Sequence, residues 1–407
     1  MNIRSVLDKM VTIRASDLHL KAGTPPVVRV DGVLYALDEP PPNAQDLRDV
    51  CAQLLNDEQK AYFQTHNEID FAFGVSGLAR FRANIFTQRG TPALALRHVP
   101  VQIPSIEDLG LPPVVRDLAF SPRGLILVTG TTGSGKSTTL AAMIDAINKV
   151  TARNIITIED PIEFLHIDRM SFIHQREVGL DTQSFHDGLK YVLRQDPDII
   201  LVGEIRDLET MRTTLMAADT GHLVLSTLHT TDVVQTIQRI ISFYPAHQQE
   251  EVRLSIASNL KAVMTQRLIS RADGRGRVPA CEVMVNTPTI QEYILDPEKT
   301  PMIESLVAEG FTQYGMQTFD QSVLGLLREG IISEEEGLRN CNSPNELLLK
   351  LKGILASSDR MWQPVETVRD DANLMPVAPG PAERAARTGA PTPGAGRPRP
   401  EQTHNQP

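Results

Sequence analysis

Cysteine is scarce in this 407-residue chain: there are three, Cys51, Cys281 and Cys341, none near another in sequence. No C-x-x-C pair exists to suggest zinc, and three scattered thiols make no disulfide framework, so a reducing cytoplasm is expected. Long apolar runs are missing too. No stretch approaches the ~20 residues that a membrane-spanning helix needs, and the opening MNIRSVLDKM lacks the apolar core of a secretory signal. Any membrane role is therefore expected to run through a partner. Positive charge is in deficit, with 40 Lys and Arg against 50 Asp and Glu. That balance gives no support to indiscriminate binding of nucleic acid or anionic lipid. What is present, 41% hydrophobic and 22% charged residues, suits an ordinary globular protein of two or three domains.

Residues 1–98 read as an α+β unit. Ser5 to Val11 has apolar residues at helical spacing, LHLKAG and PVVRVDGVLYAL read as strands joined by a Gly-Thr-Pro-Pro turn, and NAQDLRDVCAQLL reads as a helix. FAFGV, ARFRANIFTQ and TPALALRHV read as further sheet strands, the sheet alternating apolar residues with arginine through Phe81, Arg82, Ile85, Phe86 and Arg89. The proline-rich residues 99–113 form the expected linker. Residues 114–358 change to strand–helix alternation: GLILVTG, NIITIED, DIILVGE and HLVLSTL are short apolar runs suited to a parallel sheet covered on both faces. Residues 359–407, rich in Pro, Gly, Ala, Arg and Thr, lack the apolar content for a core and are expected to be mostly disordered. The overall expectation is an α/β protein.

Chemistry first becomes legible at Gly130-Thr131-Thr132-Gly133-Ser134-Gly135-Lys136-Ser137-Thr138, which fits G-x-x-x-x-G-K-[ST]. An apolar strand leads in and an amphipathic helix leads out, the context in which backbone N–H groups and a helix N-terminus face phosphates. Lys136 would neutralise β- and γ-phosphate charge, and Ser137 would ligate Mg²⁺, with Glu163 or Glu204 acting on the ion through water. ATP and Mg²⁺ are thus the expected ligands. Carboxylates follow two apolar strands: Glu159, Asp160 and Glu163 after one, Glu204 after another, both expected to neighbour the phosphate-loop strand. Ligands in open α/β sheets sit at such carboxyl ends.

GTTGSGKST, ITIEDPIEF, DPDIILVGEIRD and TGHLVLSTLHTTD resemble the Walker A, Asp, Walker B and His boxes of secretion ATPases. Within that superfamily the chain is similar to the PilT/PilU branch, the type IV pilus retraction motors of twitching motility. ASDLHL, ARFRANIFTQRG, REVGLDTQSF, LRQDPD and GMQTFDQ extend the resemblance across residues 1 to about 355. The resemblance implies a PAS-like N-terminal domain, a RecA-like ATPase domain and a homo-hexameric ring. It implies that Glu163 and Glu204 are catalytic and that Arg82 and Arg97 reach the γ-phosphate as arginine fingers. It also implies work at the cytoplasmic face of the inner membrane, on a pilus platform protein and with a PilT-like paralogue. The four-cysteine zinc module common in extension motors is absent, which favours retraction. PTIQEYILDPE stands where PilT-like chains carry a helix close to AIRNLIRE, and NCNSPNELLLKLKG looks more PilU-like, so the reading leans to an accessory motor.

Two other readings compete: a nucleotide-binding regulator with little hydrolysis, and a DNA translocase. Intact Lys136, Ser137, Glu163 and Glu204 argue against the first, and the acidic chain against direct nucleic-acid grip. His222 and His229 pose a separate question. If Leu223 to Leu228 is a fourth sheet strand, the two rings stand roughly 20 Å apart at ~3.3 Å per residue and cannot share a metal. His229 then falls at the nucleotide end, able to reach the γ-phosphate or a catalytic carboxylate, and His222 at the other.

Overall fold

The period-two pattern of the N-terminal segment builds an antiparallel sheet. The computed structural model describes residues 1–352 apart from Asp31 and Val101; the expected tail and the last residues of the second unit lie outside the described residues. Strands β1 (Asp17–Lys21), β2 (Thr24–Val30), β3 (Val33–Ala36), β4 (Glu68–Val75), β5 (Ala79–Gln88) and β6 (Thr91–Val99) pair in the order β3-β2-β1-β6-β5-β4. Every neighbouring pair is antiparallel. Helices α1 (Ile3–Thr12) and α2 (Ala44–Leu54) lay Val6, Leu7, Met10, Leu47 and Val50 onto Leu18, Leu20, Phe81, Ile85, Leu94 and Leu96.

Several local expectations are corrected. The first turn is Ala22-Gly23, with Gly23 at φ +72°, and Thr24-Pro25-Pro26 already belongs to β2. Phe81 and Ile85 face the core, but Phe86 lies on the opposite face with Arg82, and Arg89 sits beyond the strand in a left-handed turn at φ +51°. An unforeseen helix, α3 (Asp57–His66), buries none of its residues, which is why apolar spacing does not reveal it; a capping box at Asn56 starts it.

The second sheet contains β7 (Gly124–Thr129), β8 (Asn154–Glu159), β9 (Phe172–Glu177), β10 (Ile199–Val202), β11 (Leu223–Leu228), β12 (Leu260–Ser270) and β13 (Arg277–Val285). Its order is β13-β12-β7-β11-β10-β8-β9, parallel throughout except for the β12–β13 hairpin. Alternate residues feed two cores: Leu125 and Leu127 join one, Ile126 and Val128 the other. Helices α4 (Val114–Ala119) and α5 (Lys136–Val150) cover one face. Helices α6 (Phe185–Val192), α7 (Leu208–Asp219), α8 (Val233–Ser242), α9 (Gln249–Asn259) and α10 (Pro288–Leu295) cover the other. The proline-rich approach to α4 is packed, with Ile106 and Leu111 buried beside Val115 and Leu118.

Two corrections matter for the site. The phosphate-loop strand β7 is flanked by β11 and β12, so the strands preceding Glu204 and Glu163 stand second and third away. The strand that ends at His229 is the true neighbour. Moreover, β11 is the fifth strand of this sheet in chain order, because the polar strand β9 (FIHQRE) intervenes unrecognised.

A buried carboxylate joins the hairpin to α8. Glu282, on β13, accepts a 2.8 Å bond from the Val233 N–H at the start of α8. Burial, with Asp232 and Glu304 nearby, pushes its pKa up to about 7, against the opposing influence of that N–H and of Arg267. The folded chain therefore holds a proton that the unfolded chain releases near pH 4.5. Stability from this group is full below pH 4.5 and falls as pH rises to 7, by roughly 3 kcal/mol. Urea denaturation of Glu282→Gln should show the variant gaining on wild type by about that amount between pH 4.5 and pH 8; a constant difference would contradict this account.

Candidate nucleotide site

Parallel strands bring their carboxyl ends to one edge, and the loops there enclose a cavity of about 400 Å³. Its floor is the loop between β7 and α5. Gly130, Gly133 and Gly135 adopt φ of +139°, +79° and +94°, conformations that L side chains rarely take. At Gly130 space is also prohibitive, since a Cβ would meet Gln266 O and Ser134 Oγ, each at 2.5 Å. Lys136 Nζ donates to Gly130 O at 2.9 Å and Thr131 O at 3.1 Å, so its ammonium is held over the loop. Ser134 Oγ is buried without a hydrogen-bond partner. A bare hydroxyl, an ammonium and the first turn of α5 make a donor-rich concavity that suits a polyphosphate.

Acidic groups stand opposite. Glu163 and Glu204 line the cavity with Lys136 and Ser137. Burial pulls the Lys136 ammonium below its ordinary pKa, while Glu204 and then Glu163 favour its charged form. Glu204 follows Gly203, whose N–H donates to Ile158 O at 2.8 Å and whose carbonyl accepts from Thr227 Oγ1 at 2.7 Å. These bonds tie the Glu204 loop to β8 and β11. Both oxygens of Glu204 are engaged: His229 Nε2 lies 3.2 Å from Oε2, and Arg206 pairs with Oε1. Arg206 also reaches Asp160 Oδ2 at 3.5 Å.

The histidine question closes in part. His229 stands at the cavity end of β11, its ring against the Glu204 carboxylate. His222 stands at the other end, its Nδ1 2.9 Å from Ala217 O and 3.2 Å from Thr220 Oγ1, within the turn between α7 and β11.

Arg82 and Arg97 are not brought into this cavity. They line an adjoining one of about 500 Å³, which shares Asp160 and Pro161 with the first. Asp17, Arg97 and Arg82 are register partners across β1, β6 and β5. Arg97 Nε donates to Asp17 Oδ1 at 2.8 Å. Burial pushes the Asp17 carboxyl up, but hydrogen bonds from Ser16 and Arg97 outweigh it and hold the group below its ordinary range. Arg206 of the GEIRD stretch was not foreseen, nor were Leu268 and Arg277, which line the nucleotide cavity from the β12–β13 hairpin and carry no local motif.

Residues 2–329 match the family described as Type II/IV secretion system protein. The chain belongs to that family. The type IV pilus retraction ATPase PilT of Pseudomonas aeruginosa is 43% identical over 344 residues, 84% of this chain and 99% of its own length. The type IV pilus ATPase PilU of the same organism is 40% identical over 352 residues, 86% of this chain and 92% of its own. A crystal structure of the pilus retraction motor PilT with bound ADP superposes with a TM-score of 0.79 at 43% identity, covering 85% of this chain and 98% of that one.

Gly130→Ala should weaken binding of a fluorescent ADP at least tenfold, because its Cβ would meet main chain that cannot yield. Unchanged affinity in equilibrium titration would contradict the cradle geometry.

Proposed function

We propose that this chain is an ATP-hydrolysing motor of type IV pilus retraction, working as a homo-hexamer on an inner-membrane platform protein at the cytoplasmic face. The observation that carries the reading is the convergence of Lys136, Ser137, Glu163, Glu204 and His229 on one cavity at the carboxyl ends of parallel strands. PilT and PilU resemble the chain over nearly their whole lengths, which supports retraction as the work done. Among the described residues no helix is long and apolar enough to cross a membrane, so a platform protein is the natural route to the bilayer.

The chain's residues divide the chemistry. Lys136 and the N–H groups of residues 130–138 bind and orient the phosphates, at a helix terminus that favours negative charge. Glu163 orients the attacking water and takes up its proton. Glu204, held by His229 and Arg206, lines the same cavity and would act on the ion or on the attacking water from there. His229 changes partner when the γ-phosphate arrives, reporting on the nucleotide state. Ser137 would hold Mg²⁺, with Glu163 or Glu204 reaching it through water, and the bound ion would neutralise β- and γ-oxygen charge. Arg82 and Arg97 enter the site only on closure of the N-terminal sheet, of this subunit or a neighbour, which makes hydrolysis depend on motion.

The accessory, PilU-like role is the finer reading, with a PilT-like paralogue as partner. It rests on α10, where Ile290 and Ile294 are buried as a helix face requires while Gln291 replaces the arginine of the PilT-like motif.

Steady-state ATPase is the test. Glu204→Gln should lower kcat by about 100-fold with KM little changed. Equal, negligible rates in wild type and variant would defeat the motor reading in favour of a nucleotide-binding regulator. His229→Ala should lower turnover more than ADP affinity; equal turnover would remove the sensing role.

A further inference from the structure

The polar strand β9 is not explained by packing, since it is the edge of the sheet and carries Gln175 and Glu177 two residues apart on one face. Both side chains reach the loop that holds Glu163. Gln175 Oε1 accepts from His166 N at 2.9 Å, and its Nε2 donates to Phe164 O at 2.8 Å and to Glu159 Oε1 at 3.1 Å. Glu177 Oε2 accepts from Ile162 N at 3.2 Å. The backbone is thereby pinned at residues 162, 164 and 166, on both sides of Glu163, by side chains rather than by a strand ladder.

Glu177 has a second bond that leaves the ATPase sheet. Arg80, on β5 of the N-terminal sheet, donates from a terminal guanidinium nitrogen to the same Oε2 at 3.0 Å. The side chains are 19% and 7% exposed, so solvent screens the pair little. One oxygen thus joins the N-terminal sheet to the backbone amide of Ile162, the residue before Glu163. Arg80 lies two residues from Arg82 on the same strand, so both guanidinium groups follow the position of the N-terminal sheet.

We infer that Gln175 and Glu177 are positioning residues for Glu163, and that the Arg80–Glu177 pair transmits the position of the N-terminal sheet to the catalytic loop. The inference rests on the reading of Glu163 as the residue that acts on water. In one arrangement Arg80 and Ile162 share the Glu177 carboxylate, and Glu163 is held. When the N-terminal sheet turns away, the guanidinium is withdrawn, and the loop loses its fixed reference. Turnover is then tied to domain position through a hydrogen-bonded carboxylate, in addition to any arginine delivered to the phosphates. Gln175 sets the far side of the loop and also donates to the half-buried Glu159, whose carboxyl burial pushes up despite bonds from Thr157 and Gln175.

The test is a double-mutant cycle on the full chain, reading kcat, KM for ATP and ADP affinity. Arg80→Ala leaves Glu177 and its bond to Ile162 in place, so it probes transmission without removing the pin. It should lower kcat about tenfold with KM and ADP affinity within twofold, and Arg80→Lys should restore at least half the loss. Glu177→Ala should lower kcat at least as far, and the double variant should be no slower than Glu177→Ala alone. Unchanged kcat in Arg80→Ala, or losses that multiply in the double variant, would overturn the inference. A uniform rise in KM and loss of ADP binding would also overturn it, since that marks general damage to the site. Glu163→Gln is measured alongside: wild-type turnover in that variant would defeat the underlying reading of Glu163, whatever the cycle shows.

Discussion

The parallel pairing of β7 with β11, from Gly124 opposite Leu223 to Thr129 opposite Leu228, is the constraint from which the rest follows. It sets the end of the phosphate-loop strand level with the end of the strand that leads to His229. Pairing of β11 with β10, and of β10 with β8, then carries the Glu204 and Asp-box loops to the same edge. Strands buried on both faces allow no slip, because a shift of one residue would exchange the two cores. The sheet therefore fixes the spacing of ammonium, carboxylates and imidazole before any ligand is bound, and that preorganisation is the main thing such a site contributes to phosphoryl transfer.

Around this rigid edge the structure places groups whose partners can change. Glu204 has both oxygens engaged, by His229 and Arg206, and Lys136 rests on carbonyls of its own loop. In the proposed function, each is a bond that a γ-phosphate would compete for. On the N-terminal sheet Arg97 is tied to Asp17, and Arg80 reaches across to Glu177 of the ATPase sheet. Small energies decide such exchanges: a charge-assisted hydrogen bond contributes on the order of 1.5–3 kcal/mol. A few of them changing together match the energy scale of a domain rotation, which is how binding and hydrolysis can do work.

Much of this was legible in the amino-acid sequence for identifiable reasons. The phosphate loop declares itself because glycine at Gly130 and Gly135 is required by backbone conformation, and β7, β8, β10 and β11 declare themselves because strands buried on both faces must be continuously apolar. The relative order of those strands was not legible. Nothing local says that β11 inserts between β7 and β10, so Glu204 was expected one strand too close to the phosphate loop and Glu163 two. The strand β9 was hidden for the opposite reason: of FIHQRE only Ile173 packs on a core, while Gln175 and Glu177 go to the Glu163 loop and Arg80, so it carries no apolar run. Arg82 and Arg97 were identified by resemblance, but their distance from the phosphate cavity depends on how two sheets meet, which spacing along the chain does not encode.

The central claim is that ATP hydrolysis at this edge powers retraction. Its most direct measurement is the retraction force of single pili in cells where the chromosomal copy carries Glu204→Gln, beside the clean deletion and wild type, with any paralogous ATPase left in place. The account predicts that the variant matches the deletion, with pili still assembled and force reduced from the wild-type value. Wild-type force in the Glu204→Gln cells, with force reduced in the deletion, would contradict it, because the chain would then contribute by its presence and not by its chemistry.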